Sequence, residues 1–126
     1  MKNSVNNQPH QQSTPIPELL RCANVAIVGG GKFCRKLIKF YREYDLSPQK
    51  PAILGVADIN AEAEGLSYAA QQGIFTTQDF KELYLIEGLQ IILEITHDPS
   101  LPATIRKTKP ADVMLLDHFH SRYLWA

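Results

Sequence analysis

The chain has 126 residues, which fits a single domain, and its 13 basic and 13 acidic residues cancel to a formal charge of zero. That balance argues against a general nucleic-acid-binding protein. No stretch approaches the roughly 18 apolar residues of a membrane helix, so neither a membrane nor a nucleic acid is expected as a partner. The two cysteines, Cys22 and Cys34, lack metal-ligand spacing. The sequence therefore predicts no metal site and a reducing, cytoplasmic setting.

Composition divides the chain into three parts. Residues 1–20 are poor in apolar side chains and rich in Asn, Gln, Ser and Pro, which predicts a disordered leader. Residues 21–120 carry alternating strand and helix patterns and form the predicted domain. Residues 121–126 continue an aromatic and apolar run, and such clusters typically meet a partner surface. We expect this tail to be a dimer contact or the start of a further segment of a longer protein.

The domain opens with a strand, a glycine turn and a helix. Residues 25–28 predict a buried strand, glycines occupy positions 29–31, and an amphipathic helix starts at Lys32 and Phe33. Glycines let the backbone approach a phosphate closely, and the helix points unpaired N–H groups and the positive end of its dipole at it. This order of elements predicts an anion site.

The helix after the turn carries an apolar stripe at spacings of three and four residues, which predicts its core-facing side. That stripe consists of Phe33, Leu37, Phe40, Tyr41 and Tyr44. The opposite face is basic, and we interpret it as solvated or facing a partner. Cys34 is interpreted as a packing residue rather than a nucleophile.

The second strand, predicted over Ala52–Ala57, is followed by Asp58. An acid at this place can bind the hydroxyls of an adenosine ribose and repel a 2′-phosphate, which favours NAD over NADP. Lys32 or Arg35 would counter that repulsion if turned toward the ribose. A second interpretation makes Asp58 a turn residue before Asn60.

Shorter elements follow. Asn60 is placed to cap a helix over residues 61–72, which Gly73 would end. Residues 74–76 predict a short edge strand, and a further helix is predicted through Tyr84.

The fourth strand is predicted over residues 90–96 and carries Glu94 inside an apolar run. A buried carboxylate needs partners, so Glu94 is interpreted either as a ligand contact or as a side chain held by backbone donors. A helix after Pro99 and a fifth strand over residues 112–116 complete the pattern. Several polar residues could converge beyond these strands, and we interpret them as a solvated rim rather than a metal site or an acid–base pair. They are His97, Asp98, Asp117, His118 and His120.

The alternation of strands and helices predicts an α/β, Rossmann-like fold. Its doubly wound parallel sheet would have about five strands in the order 3-2-1-4-5, with helices on both faces. Ligands bind such sheets beyond the carboxyl ends of the strands, where the strand order reverses. The residues expected to bind a cofactor there are Gly29, Gly30, Gly31, Lys32, Phe33, Asp58, Ile59, Thr96 and His97. Catalytic residues are not assigned.

The spacing Gly29-x-Gly31-x-x-Cys34 is the dinucleotide fingerprint with a cysteine where Gly or Ala is usual. With GVADIN at residues 55–60 and IILEIT at residues 91–96, the chain resembles NAD(P)-binding Rossmann domains over residues 24–118. These are the N-terminal domains of enzymes of the homoserine dehydrogenase and glucose–fructose oxidoreductase type. The resemblance implies a pyrophosphate at the glycine turn and a ribose at Asp58. Similar domains also resemble sensory modules of bacterial signalling proteins.

Enzymes of that type carry their catalytic and substrate-binding residues in a second domain, for which this sequence shows no pattern. We therefore predict an NAD(P)-binding module with a sensory, regulatory or cofactor-holding role, as a homodimer or as part of a longer protein. The alternative is a small NAD(P)-dependent oxidoreductase whose substrate site is completed at a dimer interface, using His97, His118 or Glu94. A third interpretation is a domain that kept the fold and lost the ligand.

Overall fold

The computed structural model describes residues 23–43 and 52–119. The predicted leader, the tail over residues 121–126, Tyr44 and His120 lie outside these ranges. The elements in chain order are β1 (Asn24–Val28), α1 (Lys32–Glu43), β2 (Ala52–Ala57), α2 (Glu64–Gln71), β3 (Phe75–Thr77), a 3₁₀ helix (Phe80–Leu85), β4 (Ile91–Glu94), α3 (Leu101–Thr108) and β5 (Met114–Leu116).

The five strands form one sheet in the order β3-β2-β1-β4-β5, and every neighbouring pair is parallel. The predicted α/β, Rossmann-like architecture and its strand order are confirmed. The chain moves outward from β1 to β3 and then returns to the other side of β1. The strand order therefore reverses between β1 and β4, and the carboxyl ends of β1, β2 and β4 share one rim of the sheet.

Each face of the sheet has its own apolar core, because successive strand residues point to opposite faces. On one face, Ile27 of β1 packs with side chains of α1 and α2. On the other face, Val28 packs with Leu83 of the 3₁₀ helix and Ile105 of α3. Helices thus cover both faces, as predicted, and burial on both sides explains why the strand sequences are almost continuously apolar.

The face of α1 that packs on the sheet differs from the predicted stripe. Its buried side chains are Cys34, Leu37, Ile38 and Tyr41. Phe33 was predicted to lie in the core, but it is 38% exposed. Each residue turns a helix by about 100°. Because Cys34 faces the sheet, the preceding Phe33 is rotated to the edge, and the prediction was wrong at this residue.

The start of α2 also differs from the prediction. The helix begins at Glu64 rather than at residue 61, and Asn60 does not cap it. The Asn60 Oδ1 instead accepts the Glu62 N–H at 3.0 Å, and the Asp58 Oδ1 accepts the Asn60 N–H at 2.8 Å. Asp and Asn side chains compete with a helix by bonding to nearby N–H groups, and two successive turns replace its first residues. Gly73, with φ at 79°, follows the helix as predicted.

The remaining differences concern short elements. The edge strand β3 lies one residue later than predicted, and β4 and β5 are shorter than predicted. The helix predicted through Tyr84 is a 3₁₀ helix, with Asp79 at its N-cap accepting the Lys81 N–H at 3.0 Å. These differences leave the rim at β1, β2 and β4 unchanged.

Candidate functional site

A cavity of about 570 Å³ opens at the carboxyl ends of β1, β2 and β4. This volume lies within the range of roughly 300–1,000 Å³ that is typical of small-molecule sites. Of the nine residues expected from the sequence to bind a cofactor, eight line it. They are Gly29, Gly31, Lys32, Phe33, Asp58, Ile59, Thr96 and His97. The ninth, Gly30, does not line the cavity; it bonds to Asp58 and to the start of α2.

Gly29 is required by the backbone of the turn. Its φ is 116°, a conformation that side-chain-bearing residues rarely adopt. A Cβ there would also lie 3.1–3.2 Å from atoms of Ile95 and Thr96. The Gly29 N–H donates to the carbonyl oxygen of Ala57 at 2.8 Å, which continues the pairing of β1 with β2 into the turn. The tight turn alone explains this glycine.

Gly31 has no such explanation within the described residues. A Cβ at this position would meet no atom within 4 Å, and Gly31 borders the cavity. The first N–H of α1 to bond back to the turn is that of Arg35, which donates to the Gly31 oxygen at 3.2 Å. The N–H groups of Gly31 and Lys32 precede that bond and have no acceptor within the helix. The missing side chain therefore leaves open space in front of a helix N-terminus.

Gly30 holds the turn against two other elements. Its N–H donates to the Asp58 Oδ2 at 2.7 Å. Its carbonyl oxygen accepts the N–H groups of Gly65 at 2.6 Å and Leu66 at 3.0 Å, both from the first turn of α2. This role of Gly65 was not predicted from the sequence. A signal was available, because a glycine inside a helical pattern is unfavourable and often marks a close approach.

Asp58 stabilises the turn before Asn60, which is one of the two interpretations offered by the sequence. Its two carboxylate oxygens accept the N–H groups of Gly30 and Asn60, at 2.7 and 2.8 Å. The side chain is half-buried and lines the cavity. A carboxylate oxygen has two acceptor positions, so these two bonds leave further acceptor capacity on the carboxylate. The backbone bonds hold the carboxylate in place beside the glycine turn.

Arg35 is engaged away from the cavity. Its guanidinium pairs with Glu64 at 2.7 Å and lies 5.4 Å from the centre of the Tyr68 ring. Both contacts tie α1 to α2. The arginine that could have offset the charge of Asp58 is therefore held on the outer side of the helix pair, whereas Lys32 lines the cavity.

Cys34, at the third fingerprint position, is fully buried in the core beneath α1. Burial, and to a smaller extent the charge of Asp58, raises the pKa of its thiol to about 12. A thiol with this pKa stays protonated at neutral pH and is a poor nucleophile. Its environment matches the packing role inferred from the sequence.

The polar residues at the ends of β4 and β5 fall into separate groups. His97 and Asp98 are exposed and line the cavity, and the hydroxyl and N–H of Ser100 lower the pKa of Asp98. Asp117 is buried and pairs with Arg106 at 2.5 Å. Within residues 23–43 and 52–119, no three His, Cys, Asp or Glu side chains come together as a metal site.

Glu94 is completely buried at the end of β4 and is surrounded by donors. Its carboxylate accepts the N–H of Thr96 at 2.9 Å and the Thr96 hydroxyl, together with the N–H of His118 at 2.8 Å. The His118 Nδ1 lies 2.7 Å from the same carboxylate. Glu94 thus binds Thr96, which lines the cavity, and His118, which lies in the segment after β5. Glu94 and His118 were both candidate residues from the sequence, but their contact with each other was not predicted.

Comparison of the sequence with protein-family models and with curated proteins finds no match. Among the helices in the described ranges, none has the length and apolar character to cross a membrane. The fold and the cavity define a Rossmann-like α/β domain with a candidate ligand site where the strand order reverses.

Proposed function

We propose that this protein binds NAD in the cavity and acts as a sensory, regulatory or cofactor-holding module. The observation that carries the proposal is the presence of a glycine at position 31. It has no packing or backbone reason to be a glycine, yet it lies at a helix N-terminus and opens directly onto the cavity. A ligand whose phosphate approaches the backbone supplies the missing reason.

The pyrophosphate is assigned to the glycine turn. The N–H groups of Gly31 and Lys32 and the positive end of the α1 dipole favour a negative group there. Lys32 also lines the cavity and carries a positive charge. Helix N–H groups and a lysine recognise a phosphate whatever nucleoside it carries. These contacts therefore support any nucleoside diphosphate equally.

Asp58 supports a ribose as the group next to the phosphate. Its carboxylate stands beside the turn, fixed by two backbone N–H groups, and can accept hydrogen bonds from vicinal hydroxyls. A 2′-phosphate would face this negative charge, and Arg35 is already engaged by Glu64. These contacts favour NAD over NADP.

The cavity continues past the glycine turn to the end of β4, which supports a ligand with a second nucleoside. Ile59 and Phe80 line it with apolar surface, while Thr96 and His97 line it at the end of β4. A mononucleotide bound at Asp58 and Gly31 would leave the β4 end unused.

A binding role is favoured because several groups with reactive potential are already engaged. Glu94 is bound by Thr96 and His118, and Asp117 is paired with Arg106. Hydride transfer also requires a substrate held next to the cofactor. We propose that the module acts in the cytoplasm and reports or stores a dinucleotide.

Amide-resolved NMR during titration with NAD tests this proposal. We expect saturable shifts at Gly31 and Lys32, at Asp58, and at Thr96, with a dissociation constant in the range of about 1–100 µM. Shifts restricted to another surface, or none at millimolar NAD, would overturn it.

An NAD-dependent oxidoreductase is the second candidate, and one observation favours it. The Glu94 carboxylate lies 2.7 Å from the His118 Nδ1 and orients the ring, as in a base held by an orienting acid, although His118 is not among the residues that line the cavity. Turnover of NADH with a panel of small carbonyl compounds tests this candidate. Activity that disappears in His118→Ala would support it, and an inactive NAD-bound protein would exclude it for that panel.

A further inference from the structure

We propose that Gly65 is a positioning residue for the ligand: by carrying no side chain it lets α2 dock on the glycine turn and aim the Gly31 N–H into the cavity. This inference rests on the proposed NAD site and adds the element that shapes its phosphate contact. Gly65 itself lies outside the cavity lining, so it acts through Gly30 and Gly31.

Two short hydrogen bonds join α2 to the glycine turn. The carbonyl oxygen of Gly30 accepts the N–H of Gly65 at 2.6 Å and that of Leu66 at 3.0 Å. Two of the N–H groups at the start of α2, which a helix leaves without intrahelical partners, are thereby satisfied by one carbonyl. The helix has no side-chain cap at Ala63, so the turn takes the place of a cap.

This contact sets the direction of the next N–H. In a planar trans peptide, the carbonyl and the following N–H point in opposite directions. The Gly30 carbonyl points at α2, so the Gly31 N–H points away from α2. None of the described α2 residues lines the cavity, whereas Gly31 does, and the N–H is thus turned toward the ligand side.

Only glycine permits this approach. A Cβ at position 65 would overlap the Gly31 oxygen and would lie 2.7 Å from the Gly30 oxygen and 2.8 Å from the Cys34 Cβ. Backbone oxygens cannot move aside as a flexible side chain can. Any other residue must push α2 away from the turn or rotate the peptide that carries the Gly31 N–H.

Gly65 also explains how Cys34 is tolerated. The fingerprint uses a small third residue so that elements can approach closely. Here the residue at that position is a cysteine, and the space beside its Cβ is supplied from α2 by Gly65. Cys34 is consequently buried without displacing the turn.

Calorimetric titrations of Gly65→Ala with NAD, ADP and adenosine test the inference. We expect NAD and ADP to bind about tenfold more weakly than to the wild type, because one charge-assisted hydrogen bond is misaligned. Adenosine, which has no phosphate, should change by less than about twofold because Asp58 still binds the ribose. Ser67→Ala, an exposed change on the same helix, is the matched control and should match the wild type.

Unchanged NAD and ADP affinity in folded Gly65→Ala would overturn the inference, as would an equal loss of adenosine. If that variant fails to fold, amide exchange of the wild type decides: ADP, but not adenosine, should slow exchange at Gly65 and Leu66. Exchange unaffected by saturating ADP would overturn the inference while leaving the proposed function standing. A wild type that binds neither NAD nor ADP would remove both.

Discussion

At the scale of single residues, the glycine turn combines two different requirements. Gly29 is fixed by its positive φ, and Gly30 by the close approach of Leu66, whose Cβ and N atoms would lie 3.1 Å from an added Cβ. Gly31 meets neither requirement and instead borders open space. A sequence motif of three glycines thus separates into two residues that build the turn and one whose missing side chain leaves open space at the cavity.

Substituting these glycines separately should distinguish stability from binding. Gly29→Ala should lower the free energy of unfolding by about 1–3 kcal/mol, because alanine is strained at this φ. Gly31→Ala should change it by less than about 1 kcal/mol yet weaken NAD binding about tenfold or more, because its methyl group enters the phosphate position. Urea denaturation and calorimetry measure the two effects. Unweakened NAD binding in Gly31→Ala would contradict the assignment.

The charge of Asp58 should set the preference between the two dinucleotides. Asp58→Asn removes the repulsion of a 2′-phosphate, so we expect the ratio of NADP to NAD dissociation constants to fall about tenfold. Glu62→Gln removes a nearby exposed charge that does not line the cavity, and it serves as the control. Competition titrations measure the ratio, and an equal shift in both variants would argue against a ribose contact.

The buried thiol of Cys34 predicts a pH effect on stability. Its pKa rises from 9.0 to about 12 on folding, chiefly through burial. The unfolded chain therefore loses this proton first, and the contribution present below pH 9 is lost as the pH rises toward 12. The unfolding free energy of the wild type should fall more steeply over this range than that of Cys34→Ala. Parallel curves would show that burial does not perturb the thiol.

At the scale of elements, the sequence predicted what depends on local pattern. The strands and the order of the sheet follow from apolar runs separated by turn residues, and they are confirmed. The start of α2 was not predictable in this way, because side chains of Asp58 and Asn60 redirect the backbone. The packing of Gly65 on Gly30 and of Glu94 on His118 depends on contacts between residues far apart in sequence, which periodicity does not encode.

The carboxylate of Glu94 joins β4 to the segment after β5, and its loss should be costly. Glu94→Gln replaces one accepting oxygen by a donor that faces the N–H groups of Thr96 or His118. We expect a loss of about 2–4 kcal/mol in the free energy of unfolding. Glu62→Gln, at an exposed position, should change it by less than about 0.5 kcal/mol. Similar denaturation midpoints for the two variants would disprove a structural role for Glu94.

At the scale of the whole molecule, the reversal of strand order places one cavity at the junction of β1, β2 and β4. The glycine turn, Asp58 and Thr96 come from three separate strand ends, and the parallel sheet brings them to one rim. Phe119, at the end of the described range, is 49% exposed and precedes the aromatic tail. We propose that this end contacts a second copy or a further domain.

The oligomeric state tests the dimer proposal directly. Light scattering of the 126-residue chain should give twice the mass of one chain. Removal of residues 121–126 should yield a monomer, because the apolar tail then contributes no contact area. A monomeric full chain would contradict the dimer proposal.

The central claim is that the cavity is a site for NAD, and isothermal calorimetry of the wild type with NAD, NADP, coenzyme A and ATP tests it most directly. NAD should bind with one site per chain and a dissociation constant of about 1–100 µM, more tightly than the other three. No heat with any of the four ligands, or tighter binding of coenzyme A or ATP than of NAD, would contradict the claim.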